Sequence, residues 1–111
     1  MQTVAETTVY LHRAEKLLTA AERADVVSYL AAHPKAGDLI EGTGGVRKLR
    51  WARAGMGKSG GVRVIYYVHS EAMPLYLLTL FAKNERANLT KAERNDLAGL
   101  VGMLVDYWLG D

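Results

Sequence analysis

The chain has no cysteine and no apolar run of the ~18 residues that a membrane-spanning helix needs. The absence of cysteine excludes a disulfide framework, a cysteine-based zinc ribbon and thiol catalysis. It also fits a reducing compartment, and the first ten residues lack the basic start and apolar run of a secretory signal. We therefore expect a cytoplasmic protein of one domain, since 111 residues can bury a core without covalent staples.

Acidic side chains are missing from the middle of the chain, between Glu41 and Glu71. This segment holds six of the 14 basic residues and none of the 12 acidic ones, so a net charge of only +2 conceals a strongly positive stretch. Because solvated surfaces usually mix charges of both signs, the segment favours a surface that binds phosphate backbones. The alternative is an exposed strand face whose charges keep a sheet soluble. The six residues are Arg47, Lys48, Arg50, Arg53, Lys58 and Arg63.

Two Thr-X-X-Glu capping boxes, at residues 19–22 and 90–93, each predict the start of a helix. The first of these helices ends before Pro34, which cannot continue it. An earlier helix is predicted from Thr7 to Leu18, with its apolar residues at helical spacing. Because no linker separates the first two helices, they are expected to form a helical hairpin.

Three strands are predicted at residues 46–53, 62–68 and 75–82, after a short strand at residues 3–6 and a loop at residues 34–45. Short turns join the three strands, so they are expected to form an antiparallel meander. The predicted fold class is α+β, in a single domain that covers residues 1–111. The residues expected in its core are Leu30, Leu49, Ile65, Leu77, Leu80 and Val101.

Residues 52–59 loosely match a nucleotide-binding pattern that ends in Gly-Lys-Ser. Such a phosphate-binding loop must open a helix, but here two glycines and a β-branched strand follow. The favoured interpretation is a hairpin loop whose Lys58 reaches bound phosphate, and the alternative is a solvated turn. No metal site is predicted, because the three histidines have no ligand spacing: His12, His33 and His69.

Four segments of the chain resemble the RelE superfamily, specifically its HigB-type toxins. They are residues 42–50, the glycine-rich loop with Lys58, residues 60–67 and residues 77–85. The resemblance implies a RelE-like α+β fold with a short N-terminal strand, a helical hairpin, a three-stranded antiparallel meander and a C-terminal helix. It also implies a toxin of a bacterial type II toxin–antitoxin pair.

Such toxins enter the ribosomal A site and cut messenger RNA without a metal or cofactor. The ribose 2′-hydroxyl attacks the adjacent phosphorus, which leaves a 2′,3′-cyclic phosphate and a 5′-hydroxyl. The partners implied by the resemblance are mRNA, the ribosome and a HigA-like antitoxin with a helix-turn-helix DNA-binding domain.

The resemblance also implies a set of site residues. Arg63 matches a strand arginine that holds the scissile phosphate, and Lys83 and Lys48 match basic residues assigned to catalysis with it. The RNA-binding residues are expected to be Arg47, Arg50, Arg53, Lys58, Tyr67 and Asn84. Several family members carry a tyrosine or histidine just after the position of Lys83, where this chain has Asn84, Glu85 and Arg86. The general base is therefore left open among Lys48, Lys83, Glu85 and Tyr67.

The basic strands are expected to place Lys48, Arg50, Arg53, Lys58 and Arg63 on one surface. Two other functions remain open for a chain of this kind. One is a toxin similar to the ParE type, which inhibits DNA gyrase and cuts nothing. The other is an RNA-binding module without catalysis.

Overall fold

The computed structural model describes residues 1–53, 60–86 and 88–110. The described elements form one five-stranded sheet in the order β1-β5-β4-β3-β2, together with three helices. The predicted α+β class and the order of the predicted elements are confirmed. The elements are β1 (Val4–Glu6), α1 (Thr8–Leu17), α2 (Ala20–Ala32), β2 (Asp38–Leu39), β3 (Val46–Trp51), β4 (Val62–Tyr67), β5 (Leu75–Ala82) and α3 (Lys91–Leu109).

Threonine caps begin all three described helices. The Thr19 hydroxyl accepts from the Glu22 N–H at 3.1 Å, and the Glu22 carboxylate accepts from the Thr19 N–H at 2.9 Å. Thr90 and Glu93 repeat this arrangement at 3.1 and 2.8 Å, so both predicted capping boxes are confirmed. Thr7 caps α1 and also donates its hydroxyl to the backbone of β5 at 2.8 Å. None of these helices is long and apolar enough to cross a membrane.

The predicted antiparallel meander of β3, β4 and β5 is confirmed, and a strand is added at each edge. β1 pairs with β5 in parallel. β2 pairs antiparallel with Arg47 and Lys48 of β3, inside a segment that was predicted to be a loop. The sheet is therefore mixed and five-stranded. Two residues are too few to show the alternation by which a strand is recognised in a sequence.

Each face of the sheet has its own apolar core. On the hairpin face, α1 and α2 cover the sheet, and on the α3 face, α3 covers part of it. β5 contributes to both cores, as its nearly continuous apolar sequence predicts. The hairpin-face core includes Tyr10, Ala14, Leu30, Leu49, Val64, Tyr66, Leu77 and Leu80. The α3-face core includes Val46, Ile65, Tyr67, Leu78, Phe81 and Val101.

All six residues that were predicted to lie in the core are buried. The packing is tight where Gly37 meets the sheet. Its N–H donates to the hydroxyl of Tyr66 at 2.8 Å. A Cβ atom at position 37 would lie 2.8 Å from the Tyr66 ring and 2.9 Å from the Lys48 carbonyl oxygen, so only glycine fits without displacement.

Candidate nucleic-acid interface

Three basic side chains share the part of the α3 face formed by β3 and β4. Arg50 is the register partner of Arg63, and Arg63 is the register partner of Phe81. Residues paired in this way have Cβ atoms ~4.5–5.5 Å apart on one face of a sheet. Lys48 lies two residues from Arg50 and therefore on the same face. We call Lys48, Arg50 and Arg63 the cationic patch; Arg50 is exposed and the other two are half-buried.

The cationic patch has no carboxylate bound to it within residues 1–53, 60–86 and 88–110. The Lys48 ammonium donates to the side-chain oxygen of Asn88 at 3.2 Å. Arg63 donates to the carbonyl of the adjacent Val62 at 3.3 Å. The two ion pairs found in these ranges both involve other residues. Grouped positive charges without bound carboxylates make a surface suited to an anion such as a phosphate.

Arg86 is a neighbour of the cationic patch that the sequence reasoning did not assign to the site. Its guanidinium carbon lies 4.7 Å from the centroid of the Phe81 ring, and Phe81 is the register partner of Arg63. Arg86 also forms an ion pair with Glu93 in the first turn of α3, at 2.5 Å. The hydrogen bond from Arg86, followed by the one from the Thr90 backbone, lowers the pKa of Glu93 to about 2. No sequence signal reveals this pair, because it depends on how α3 docks.

Arg47 and Arg53, two of the predicted RNA-binding residues, have other partners. Arg47 pairs in register with Tyr66 of the hairpin-face core, and its guanidinium donates to the carbonyl oxygens of Gly37 at 2.8 Å and Lys35 at 3.3 Å. Arg53 donates to the carbonyl of Gly60 and, at 3.5 Å, to that of Leu17. These guanidinium groups hold loops and α1 in place. The contact with Leu17 places the Arg53 guanidinium beside α1 on the hairpin face, whereas Arg50 and Arg63 lie on the α3 face.

Tyr67, another predicted RNA-binding residue, is buried in the α3-face core with only 5% of its surface exposed. Burial raises the pKa of its hydroxyl. Gly45, at φ +118°, passes so close that a Cβ there would lie 3.2 Å from the Tyr67 ring. The ring is therefore covered within the α3-face core and is not exposed for stacking on a base. This corrects the assignment of Tyr67 to RNA binding.

Glu85, one of the candidate bases, is also held outside the cationic patch. Its carboxylate accepts from the Ala82 N–H at 2.9 Å and pairs with Arg13 of α1 at 3.1 Å. The Ala82 hydrogen bond first, and then Arg13, lower the pKa of Glu85. These partners place the carboxylate beside α1, which covers the hairpin face, whereas the cationic patch lies on the α3 face.

Lys83 and Asn84 lie in the turn that follows β5, and both are exposed. The Lys83 N–H donates to the Gly61 carbonyl at 3.0 Å, which extends the pairing of β4 and β5 by one step. Lys83 is therefore placed at the end of the sheet where Arg63 pairs with Phe81. Lys58, the predicted loop contact, lies outside the described residues. Among the residues that are described, no cluster of three or more His, Asp or Glu could hold a metal ion.

A comparison with protein families places this arrangement in a known group. A family model described as "RelE toxin of RelE / RelB toxin-antitoxin system" matches residues 13–107. The match spans the second half of α1, all of α2, the whole meander and nearly all of α3, so it includes the cationic patch and Arg86. Because it extends over most of the chain, this protein belongs to the RelE family of toxins from toxin–antitoxin systems.

Proposed function

We propose that this toxin is a ribosome-dependent mRNA endonuclease. It cuts in the ribosomal A site by attack of a ribose 2′-hydroxyl on the adjacent phosphorus, and it uses its own side chains rather than a metal or cofactor. The observation that carries the proposal is the cationic patch, where Arg50 and Arg63 are register partners and no carboxylate of the described residues is bound to them. Such a patch suits the extra negative charge of a pentacovalent phosphorus.

Arg63 and Arg50 hold the scissile phosphate in this proposal. Each guanidinium presents a planar set of donors that can bind two phosphate oxygens at once. Lys83, at the adjacent end of β5, adds a positive charge close to the leaving oxygen. Asn84 and Lys58 are proposed to contact the flanking RNA.

The reaction needs a base for the 2′-hydroxyl and an acid for the departing 5′-oxygen. Glu85 lies beside Arg13 of α1, which covers the other face of the sheet, and Tyr67 is buried beside Gly45, so neither suits these roles. We therefore assign proton transfer to the two lysines, Lys48 and Lys83.

Purified ribosomes that carry a defined mRNA provide the test. The wild-type toxin should cut A-site mRNA and leave a 2′,3′-cyclic phosphate, and a 2′-deoxyribose at the cut position should block the reaction. Arg63→Ala should reduce cleavage about 10²–10³-fold, by analogy with the loss of one donor to a transition-state oxyanion. Arg94→Ala, which removes an arginine from α3, is the matched control and should cleave normally. Normal cleavage by a folded Arg63→Ala variant would overturn the assignment.

The same preparation separates the two alternative functions. A toxin that acts in the manner of the ParE type would leave mRNA intact and trap cleaved plasmid DNA when DNA gyrase is added. A non-catalytic RNA-binding module would bind ribosomes or RNA but yield no cyclic phosphate. Either result would replace the nuclease assignment.

The proposed partner is a HigA-like antitoxin with a helix-turn-helix domain, and the proposed site of action is the cytoplasm. α3 leaves Met103 and Tyr107 largely exposed, and exposed apolar side chains of this size are suited to a protein partner. The product of the neighbouring gene should suppress cleavage in the ribosome assay. Tyr107→Asp should weaken that suppression while the free toxin cleaves as before. Equal suppression of the wild type and of Tyr107→Asp would exclude this part of α3 from the antitoxin interface.

A further inference from the structure

Arg86 and Glu93 form an ion pair at the border of the cationic patch. The guanidinium carbon of Arg86 lies 4.7 Å from the centre of the Phe81 ring, and its Nη1 atom lies 2.5 Å from a Glu93 carboxylate oxygen. Phe81 is the register partner of Arg63, which is in turn the register partner of Arg50. Arg86 is therefore a further guanidinium beside two that are free of carboxylates within the described ranges.

Arg86 can exchange Glu93 for another anion at a small cost in free energy. The two side chains are 36% and 37% exposed, and ion pairs with that degree of exposure contribute little net stability. A phosphate offers the same type of charge-assisted hydrogen bond that the carboxylate now accepts. The Phe81 ring continues to hold the guanidinium through a cation–π contact whether or not Glu93 is bound.

Glu93 also has a second role that does not depend on Arg86. Its carboxylate accepts from the Thr90 N–H at 2.8 Å and completes the capping box of α3. Glutamine serves equally well in a capping box. Glu93→Gln can therefore remove the negative charge that holds Arg86 while the start of α3 is preserved.

We propose that Glu93 occupies the position of an RNA phosphate in the free toxin, and that Arg86 leaves it to bind a backbone phosphate next to the one held by Arg50 and Arg63. Glu93 thus competes with RNA for Arg86, and Arg86 adds a cation to the three of the cationic patch. The inference rests on the proposed function for its choice of RNA as the ligand.

The test is a double-mutant cycle on binding to a short single-stranded RNA with 2′-O-methyl groups, which the toxin cannot cut. Dissociation constants are measured by fluorescence anisotropy over a range of salt concentrations. Glu93→Gln should bind about two- to fivefold more tightly, the range expected when a half-exposed ion pair no longer competes. Arg86→Ala should bind more weakly, and its logarithmic salt slope should be shallower by about 0.7, the value for one phosphate contact to a single strand.

The coupling between Glu93→Gln and Arg86→Ala decides whether Glu93 acts through Arg86. In the Arg86→Ala background, Glu93→Gln should give no gain in affinity, because there is no guanidinium left to release. Asp96→Asn, which removes an exposed carboxylate from the same helix, is the charge-matched control and should have little effect in either background. A Glu93→Gln gain that persists without Arg86, or that Asp96→Asn reproduces, would reduce the effect to net charge and overturn the inference.

Three further outcomes are distinct from these. If Arg86→Ala does not fold, the comparison of Glu93→Gln with Asp96→Asn decides the matter alone, and equal affinities of the two variants refute the proposal. If the wild type cleaves A-site mRNA and binds the RNA but Glu93→Gln changes nothing, the inference fails and the proposed function stands. If the wild type neither cleaves mRNA nor binds this RNA, both fail together.

Discussion

The two faces of the sheet use similar residues for different purposes. On the hairpin face, two helices cover the strands, and the guanidinium of Arg47 donates to backbone carbonyls. On the α3 face, one helix covers part of the strands, and Val101 is the one residue of that helix that is buried. The remaining part holds the cationic patch. The two faces differ in whether the N–H groups of their basic side chains already donate hydrogen bonds within the protein.

β3 illustrates this most clearly, because it supplies basic side chains to both faces. Arg47 is tied to the loop after α2, whereas Arg50, three residues later, is exposed and is the register partner of a second arginine. The total positive charge of the segment therefore overstates the binding surface. Guanidinium groups that already donate to carbonyls still attract RNA at long range. They cannot donate to a phosphate, however, unless their hydrogen bonds to the loops break.

The two cores should differ most in their response to truncation. Leu80→Ala on the hairpin face should lower the free energy of unfolding by about 2–5 kcal/mol, because it leaves a cavity between β5 and the hairpin. Leu104→Ala on α3 should cost roughly 1 kcal/mol, since Leu104 is only half-buried and solvent can fill the space. Urea denaturation measures both values. Equal losses would show that α3 is packed as firmly as the hairpin.

Tyr66 and Tyr67 are adjacent in β4 and belong to the cores on opposite faces of the sheet. Tyr66→Phe should lower the free energy of unfolding by about 1–3 kcal/mol, because the buried Gly37 N–H would lose its acceptor. Tyr67→Phe should change it by less than about 0.5 kcal/mol and leave mRNA cleavage unaltered. Thermal melting and the ribosome assay provide the two readouts. Loss of cleavage in Tyr67→Phe would restore this hydroxyl as a candidate for proton transfer.

A small expected effect concerns the acid stability of the α3 face. The pKa of Glu93 is about 2, below its ordinary value of 4.5, so its ionised form stabilises the folded state. That contribution is complete above about pH 4.5 and is lost as the pH falls towards 2. Because the carboxylate is partly exposed, we expect at most ~1 kcal/mol.

Stability measured between pH 5 and pH 2 should therefore fall less steeply for Glu93→Gln than for the wild type. Asp96→Asn is the matched control and should follow the wild-type curve. If the curves of Glu93→Gln and the wild type are parallel, the ion pair with Arg86 does not hold the start of α3.

Much of the fold could be predicted because its signals are local. The capping boxes at Thr19 and Thr90 depend on residues three apart in the sequence, and all six predicted core residues follow from helical or strand periodicity. The edge strand β2 could not be predicted, since two residues show no period. The parallel pairing of β1 with β5 joins segments ~70 residues apart and leaves no local signal.

The site was harder to predict for a specific physical reason. Strand alternation predicts from the sequence that Arg47 lies on the opposite face of β3 from Lys48 and Arg50. Alternation does not predict which part of a face a helix covers. On the α3 face, this coverage determines that Tyr67 is buried and that Arg50 is exposed. The ion pair of Arg86 with Glu93 depends on the same docking of α3 and was missed for the same reason.

The measurement that tests the account most directly compares Arg50→Ala with Arg47→Ala for both mRNA cleavage on ribosomes and stability. Arg50→Ala should cleave about tenfold more slowly or worse while its melting temperature stays at the wild-type value. Arg47→Ala should lose about 1–3 kcal/mol of stability, because two carbonyls lose their donor, yet cleave almost normally at a temperature where it is folded. The account would be contradicted if folded Arg47→Ala lost as much cleavage as Arg50→Ala, or if Arg50→Ala cleaved like the wild type.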